Sequence, residues 1–135
     1  GNSIMAAIGL VQLKHLDEDN AYRRQISEWY TQGFKTYEDK IKLVVIPESC
    51  ESSRHLFQVL VEDRNGLMLA LNNSDIYPGV HYIDNTHYKM YDYAVNTCPK
   101  ASFISDHVIS LPIHMRLSYE DVQKVISEVI KFEIR

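Results

Sequence analysis

Ile109-Ser110-Leu111-Pro112-Ile113-His114-Met115-Arg116-Leu117-Ser118 joins two elements that can be read from sequence. Val108 to Leu111 reads as a brief strand that stops at Pro112, because proline has no N–H with which to continue a ladder. Ser118-x-x-Asp121 has the form of a capping box, in which two side chains satisfy the free N–H groups of a helix start. Val122, Val125, Ile126, Val129 and Ile130 then recur at i, i+3, i+4, i+7 and i+8, the apolar stripe of a helix lying on a core. Strand, loop and terminal helix together place this stretch in a mixed α and β domain.

Working upstream, Ile76-Tyr77-Pro78-Gly79-Val80-His81-Tyr82 is interrupted by Pro78-Gly79 and can be an edge strand at best. Ile41 to Ile46 is a short β-rich run ended by Pro47. His55 to Val61 alternates, with Phe57, Val59 and Val61 on one face. Asp63 is a good N-cap for a helix through Leu67, Met68, Ala70 and Leu71, which Asn72-Asn73-Ser74 ends. Thr86 to Val95 reads as a short helix or irregular loop. Cys98-Pro99-Lys100-Ala101 opens a second short helix that finishes near His107.

The first third is helical in pattern. Ile4, Ile8, Val11 and His15 form one stripe, and Tyr22, Ile26, Trp29, Tyr30 and Phe34 continue a similar spacing. The polar stretch Asp17-Glu18-Asp19-Asn20 is either an exposed turn of one helix or a break between two. A continuous helix would be about 50 Å long at ~1.5 Å per residue, more than a small domain covers, so it calls for a neighbour. The expected fold is α+β. A long helix over 1–36, facing another domain or a second copy, precedes a unit over 37–135 in which helices pack on a small, mostly antiparallel sheet.

The 135 residues carry a net charge of −4, with 45% hydrophobic and 24% charged side chains. That is ordinary for a soluble domain, and interspersed charge of this sign argues against nucleic acid as a partner. No apolar run approaches the ~20 residues that cross a bilayer, so no membrane partner is expected. The opening residues lack the charged-then-apolar pattern of a secretory leader. Gly1 rather than Met at the start leads one to expect a trimmed boundary more often than a native start. Cys50 and Cys98 lack metal-ligand spacing and read as reduced thiols of a cytoplasmic protein.

The motifs together resemble the DegT/DnrJ/StrS family of pyridoxal-phosphate (PLP) dependent nucleotide-sugar aminotransferases. Ala6, Ala7, Gly9, Gln12 and Leu13 match its Ala-Ala-(small)-Gly-x-x-Gln-Leu helix, and Arg23 or Arg24 and Tyr30 match the arginine and tyrosine that follow. Arg64 matches a helix-opening arginine, and Gly79 to Tyr82 matches Gly-Val-His-Tyr. Cys98 to Ala101 matches Cys-Pro-x-Ala, Ser110 to His114 matches Ser-Leu-Pro-x-His, and Asp121-Val122 opens the last helix. Six motifs in the right order make the resemblance specific, and they span nearly the whole chain.

The resemblance implies the C-terminal small domain of a fold-type I PLP transferase. Complete members are homodimers that move an amino group from glutamate to a nucleotide-linked keto-sugar. Their Schiff-base lysine, and the acid against the pyridine nitrogen, lie upstream of the Ala-Ala-Gly helix, in a large domain that would precede Gly1. None of the eight lysines here stands in the Schiff-base motif. The chain alone is therefore expected to bind no cofactor and to be inactive, and to be at least a dimer through the face the large domain would cover. In the complete enzyme PLP and a nucleotide-sugar would be its cofactor and substrate. The alternative is a stand-alone, non-catalytic module that binds a nucleotide-sugar or a full-length aminotransferase.

His81 and Tyr82, where a strand ends in a loop, are the leading candidates for contact with the acceptor. The competing reading makes His81 a cap on a buried carbonyl and Tyr82 a core residue. His87 takes the place of a second histidine that often follows in the family, although the proline before it is missing. His114 and Arg116 precede the last helix, whose N-terminus favours anions, and so become candidates for a phosphate. The competing reading is a plain solvated loop. No catalytic, cofactor-binding or metal-binding residue is assigned. His81, His87 and Asp84 match no standard metal spacing, and Cys98, ahead of Pro99, lacks a nucleophile turn. The tyrosines from Tyr77 to Tyr93 offer rings to a ligand or to a packed domain face.

Overall fold

The computed structural model describes residues 1–134. Two helices, α1 (Ser3–Leu13) and α2 (Leu16–Phe34), lead into strands β1 (Lys42–Leu43) and β2 (Phe57–Leu60). Helix α3 (Arg64–Asn72), helix α4 (Pro99–His107), strand β3 (Val108–Leu111) and helix α5 (Tyr119–Glu133) complete the order. The helical first third is thus divided, at Lys14–His15. The acidic stretch is not the break: Asp17, Glu18 and Asp19 form the first turn of α2, where carboxylates oppose the positive end of the helix dipole.

The sheet has the order β1-β2-β3 and both pairings are antiparallel. The register sets Phe57 opposite Leu111 and Val59 opposite Ile109. With a side-chain period of two, these four residues share one face, and all four are buried in the core with α2, α3 and α5. Gln58 opposes Ser110 and Leu60 opposes Val108, so those four share the other face.

From α2, Ile26, Tyr30 and Phe34 are fully buried. Tyr30 stacks on Phe57, with ring centres 4.8 Å apart. A Cβ on Gly33 would come within 2.5 Å of Ile126 Cδ1, so glycine at 33 is what lets α2 approach α5 closely. From α5, Val122, Val125, Ile126 and Val129 are buried, as the apolar stripe requires, and Ser118 and Asp121 form the full capping box. Asp63 caps α3 by accepting the Gly66 N–H at 2.9 Å.

Helix α1 buries nothing. Ile4 is 70% exposed and Leu10 66%. A helix this apolar on all sides normally sits inside a larger structure.

Several sequence expectations are refined. The run from Ile41 to Ile46 pairs only at Lys42 and Leu43, although its partner β2 continues to Phe57; Ile41 itself is buried. The segment Ile76 to Tyr82 contributes one isolated bridge, Gly79 to Ser110. Thr86 to Val95 is neither helix nor plain loop. It falls largely in 3₁₀ turns over Asn85–His87 and Lys89–Ala94.

Candidate functional site

The outer face of the sheet is where His81 is held. Gly79 donates its N–H to the Ser110 carbonyl at 2.9 Å and accepts the Ser110 N–H at 2.8 Å, which pins the strap before His81 across β3. A Cβ on Gly79 would meet His81 Cε1 at 2.6 Å, so the imidazole occupies space that only glycine leaves open. Ser110 Oγ lies 3.0 Å from His81 Nδ1. Gln58, opposite Ser110 in register, donates its side-chain N–H to the His81 carbonyl. The ring and the carbonyl of His81 are thus fixed by a cross-strand pair. Nε2 has no hydrogen-bond partner among the described residues. An imidazole held at Nδ1 with the other nitrogen available can donate to, or accept from, a polar group brought against it.

The reading of His81 as a cap on a buried carbonyl does not hold, since its ring bonds a serine hydroxyl. Tyr82 is not a core residue. It is 73% exposed, and its ring stands edge-on to His81 with centres 5.2 Å apart. The two rings form one projecting pair.

Beyond them the chain turns on Asp84. Its carboxylate accepts the Thr86 N–H at 2.9 Å and the Ser102 hydroxyl, and its own N–H donates to Ser105 Oγ. The Ser102 hydroxyl first, then the Thr86 N–H, hold its pKa below the usual carboxylate range. Asp84 is the tie between the strap and α4 rather than an open ligand. Tyr82, Asp84, Ala101 and Ile104 line an open, mostly apolar hollow on this side. His87 ends the 3₁₀ turn after Asp84 and is exposed. Among the described residues no three His, Cys, Asp or Glu side chains group as metal ligands.

His114 and Arg116 belong elsewhere. Both are exposed, and the Arg116 N–H donates to His114 Nδ1 at 3.2 Å. His114 lines a hollow of about 320 Å³ with Tyr77, Asp121 and Lys124, whereas Tyr82 lines the one beside α4. The N-terminus of α5 is already engaged by Ser118 and the Asp121 carboxylate, so an anion there would meet a resident negative charge. The loop itself is anchored from below. Tyr22 donates to the Leu117 carbonyl at 2.6 Å and Tyr30 to the Pro112 carbonyl at 2.9 Å. Burial, then the Asp121 charge, pushes the Tyr30 hydroxyl up.

Sequence reasoning singled out His81 and Tyr82 as candidates but missed the structural roles of Gln58 and Ser110. Their signal was available: each is a lone polar residue between apolar neighbours of a strand (Phe57-Gln58-Val59, Ile109-Ser110-Leu111), which assigns it to the face opposite the core.

Comparison with known proteins agrees with this architecture. The sequence profile of the DegT/DnrJ/EryC1/StrS aminotransferase family matches residues 2–130. The chain is 30% identical to the dTDP-3-amino-3,6-dideoxy-alpha-D-galactopyranose transaminase of Aneurinibacillus thermoaerophilus, over 97% of this chain and 36% of that enzyme. The PLP form of "Putative sugar aminotransferase Spr1654" from Streptococcus pneumoniae superposes with a TM-score of 0.90 at 30% identity, covering 98% of this chain and 36% of that one. Helicobacter pylori PseC, an aminotransferase involved in the biosynthesis of pseudoaminic acid, gives a TM-score of 0.84 at 28% identity, over 97% and 37%. The chain spans little more than a third of the length of these relatives. With its profile matched almost end to end, the chain belongs to the DegT/DnrJ/EryC1/StrS aminotransferase family.

Proposed function

We propose that this chain is the C-terminal small domain of a PLP-dependent aminotransferase acting on a nucleotide-linked keto-sugar, and that by itself it does not transaminate. The observation that carries the reading is the pairing of an end-to-end match with a span of only about a third of the relatives. Helix α1 supports it, since an apolar helix with no buried residue implies a neighbour over it. That neighbour is the cofactor-bearing large domain, with a second copy completing a homodimer.

The residues present do not fit a PLP cradle. All eight lysines are exposed, whereas an amine used for imine formation is commonly desolvated so that it loses its proton near neutral pH. In this proposal the cofactor's amine chemistry belongs to the rest of the enzyme, and no step is assigned to it here. What this domain contributes is recognition. His81, fixed through Ser110 and Gln58, and Tyr82 beside it present a nitrogen and a hydroxyl to the acceptor, with His87 further along the same loop. His114 and Arg116 are left as weaker candidates, for a phosphate. A soluble, cytoplasmic setting fits the described helices, none of which is long and apolar enough to cross a membrane.

The gene tests this reading. An open frame running upstream of the Gly1 codon into a segment with the family's Schiff-base lysine motif supports it. A start codon just upstream, with no such segment, contradicts it and favours a stand-alone module that binds a nucleotide-sugar or a full-length aminotransferase.

A further inference from the structure

A second polar cleft lies between α2 and the 44–56 segment. Its more enclosed part, about 290 Å³, is walled by Leu43, Val44 and Phe57, with Arg54, His55 and Gln58 among its polar lining. Its more open part, about 240 Å³, shares Thr31, Ile46, Ser52 and Arg54 with the first and reaches Ser27. Three observations mark the cleft as more than a surface groove. The half-buried Arg54 guanidinium forms no hydrogen bond or ion pair among the described residues. Ser27, 3% exposed, has a hydroxyl with no partner among the described residues. Arg54 holds this position with φ at 54°, a left-handed backbone that asparagine or glycine adopts far more readily.

The charge differs between the two parts. In the more open part Glu51 is paired with Arg24 at 3.3 Å, and the Glu28 carboxylate accepts from Gln32. Among the described residues no carboxylate lines the more enclosed part, where the Arg54 guanidinium stands unpaired. The Ser52 hydroxyl, which accepts the Arg54 N–H at 3.1 Å, keeps its own hydrogen to donate. A planar guanidinium with apolar walls around it suits two-point binding of an oxyanion.

We propose that this cleft binds a small molecule ending in an oxyanion, a carboxylate or a phosphate, against Arg54. The part walled by Leu43, Val44 and Phe57, about 290 Å³, lies at the foot of the ~300–1,000 Å³ typical of drug-sized ligands and suits a short dicarboxylate or pyrophosphate. Gln58 lines the cleft and also holds the His81 carbonyl, so an occupant is sensed at the His81 strap. The site does not depend on the aminotransferase reading, and its failure would leave that reading intact.

The test is an NMR titration of the full chain with glutarate and, separately, with pyrophosphate, on the parent and on Arg54→Asn and Arg54→Lys. Asparagine tolerates the left-handed backbone, so that variant keeps the fold while losing the cation, and the amide spectrum shows that it does. The expected result is saturable shifts at Thr31, Ser52, His55 and the Gln58 side-chain amide, about tenfold weaker in Arg54→Asn and partly kept in Arg54→Lys. Response to glutarate alone identifies a carboxylate ligand, and response to pyrophosphate alone a phosphate ligand. No saturable shift with either, up to concentrations on the order of 10 mM, overturns the proposal. So does an affinity that Arg54→Asn leaves unchanged.

Discussion

Ser110 grips the His81 strap twice: its backbone pairs with Gly79 in both directions, and its hydroxyl lies 3.0 Å from His81 Nδ1. Backbone pairing alone would set the height of the strap but leave the imidazole free to rotate. The hydroxyl selects the rotamer, and the missing Cβ at Gly79 makes room for it.

Removing either support therefore frees the ring by a different route. Ser110→Ala should cost about 0.5–1.5 kcal/mol, the net value of one hydrogen bond. Gly79→Ala should displace the ring at a similar or larger cost, because the new methyl collides with Cε1. Adding His81→Ala to Gly79→Ala should recover most of that loss, since the collision disappears. Denaturant melts of the single and double variants measure the coupling; additive losses would show that Gly79 and His81 do not share this space.

Two tyrosines of α2 hold the 112–117 loop. Tyr30→Phe leaves the Pro112 carbonyl without its donor in a nearly closed environment, and a loss of about 1–3 kcal/mol is expected. Tyr22→Phe should cost less, because Tyr22 is only half-buried and water can replace its hydroxyl at Leu117. Equal losses from the two would contradict the burial argument. The amide shifts of His114 and Arg116 report whether the loop has moved.

The capping box of α5 gives the fold an acid-sensitive end. Hydrogen bonds from the Ser118 backbone and side chain hold Asp121 below the usual carboxylate range. A carboxylate with a depressed folded pKa stabilises the fold above its unfolded value, 3.8, and that contribution disappears as pH falls through the lower folded value. Asp84, tied to Ser102 and Thr86, has the same sign. Ser118→Ala should cost about 0.5–2 kcal/mol at neutral pH, and the gap between variant and parent should narrow in acid. Thermal melts from pH 7 down to about 2 check this; a gap that widens in acid would be the wrong sign.

Legibility followed the range of the interactions involved. Helix α5 was readable because its five apolar residues and its cap lie within one short stretch, and β2 because Phe57, Val59 and Val61 alternate. The division at Lys14–His15 has no glycine or proline to announce it. The turns over Asn85–Ala94 include one set by Asp84, whose carboxylate reaches α4 eighteen residues away, and no local pattern encodes such a contact. His81 and Tyr82 are candidates as motif residues, whereas Gln58 and Ser110 are connected to them only by strand register.

Helix α1 supplies a prediction about assembly. Its apolar residues lie in solvent in the single chain, and an exposed surface of this kind drives association. Sedimentation should show at least a dimer. Ile4→Glu, Ile8→Glu and Val11→Glu together should shift it to monomer without loss of stability, since none of the three is in the core. A monomer at every concentration would contradict this expectation.

The central claim is that this domain recognises but does not itself carry amine chemistry. Its most direct test is to add PLP to the purified chain, record the visible spectrum, reduce with borohydride and locate adducts by mass. Eight exposed lysines predict no distinct aldimine band, and only scattered, substoichiometric labelling. A stoichiometric adduct on one lysine would show that the chain holds an active site of its own, and the claim would fall.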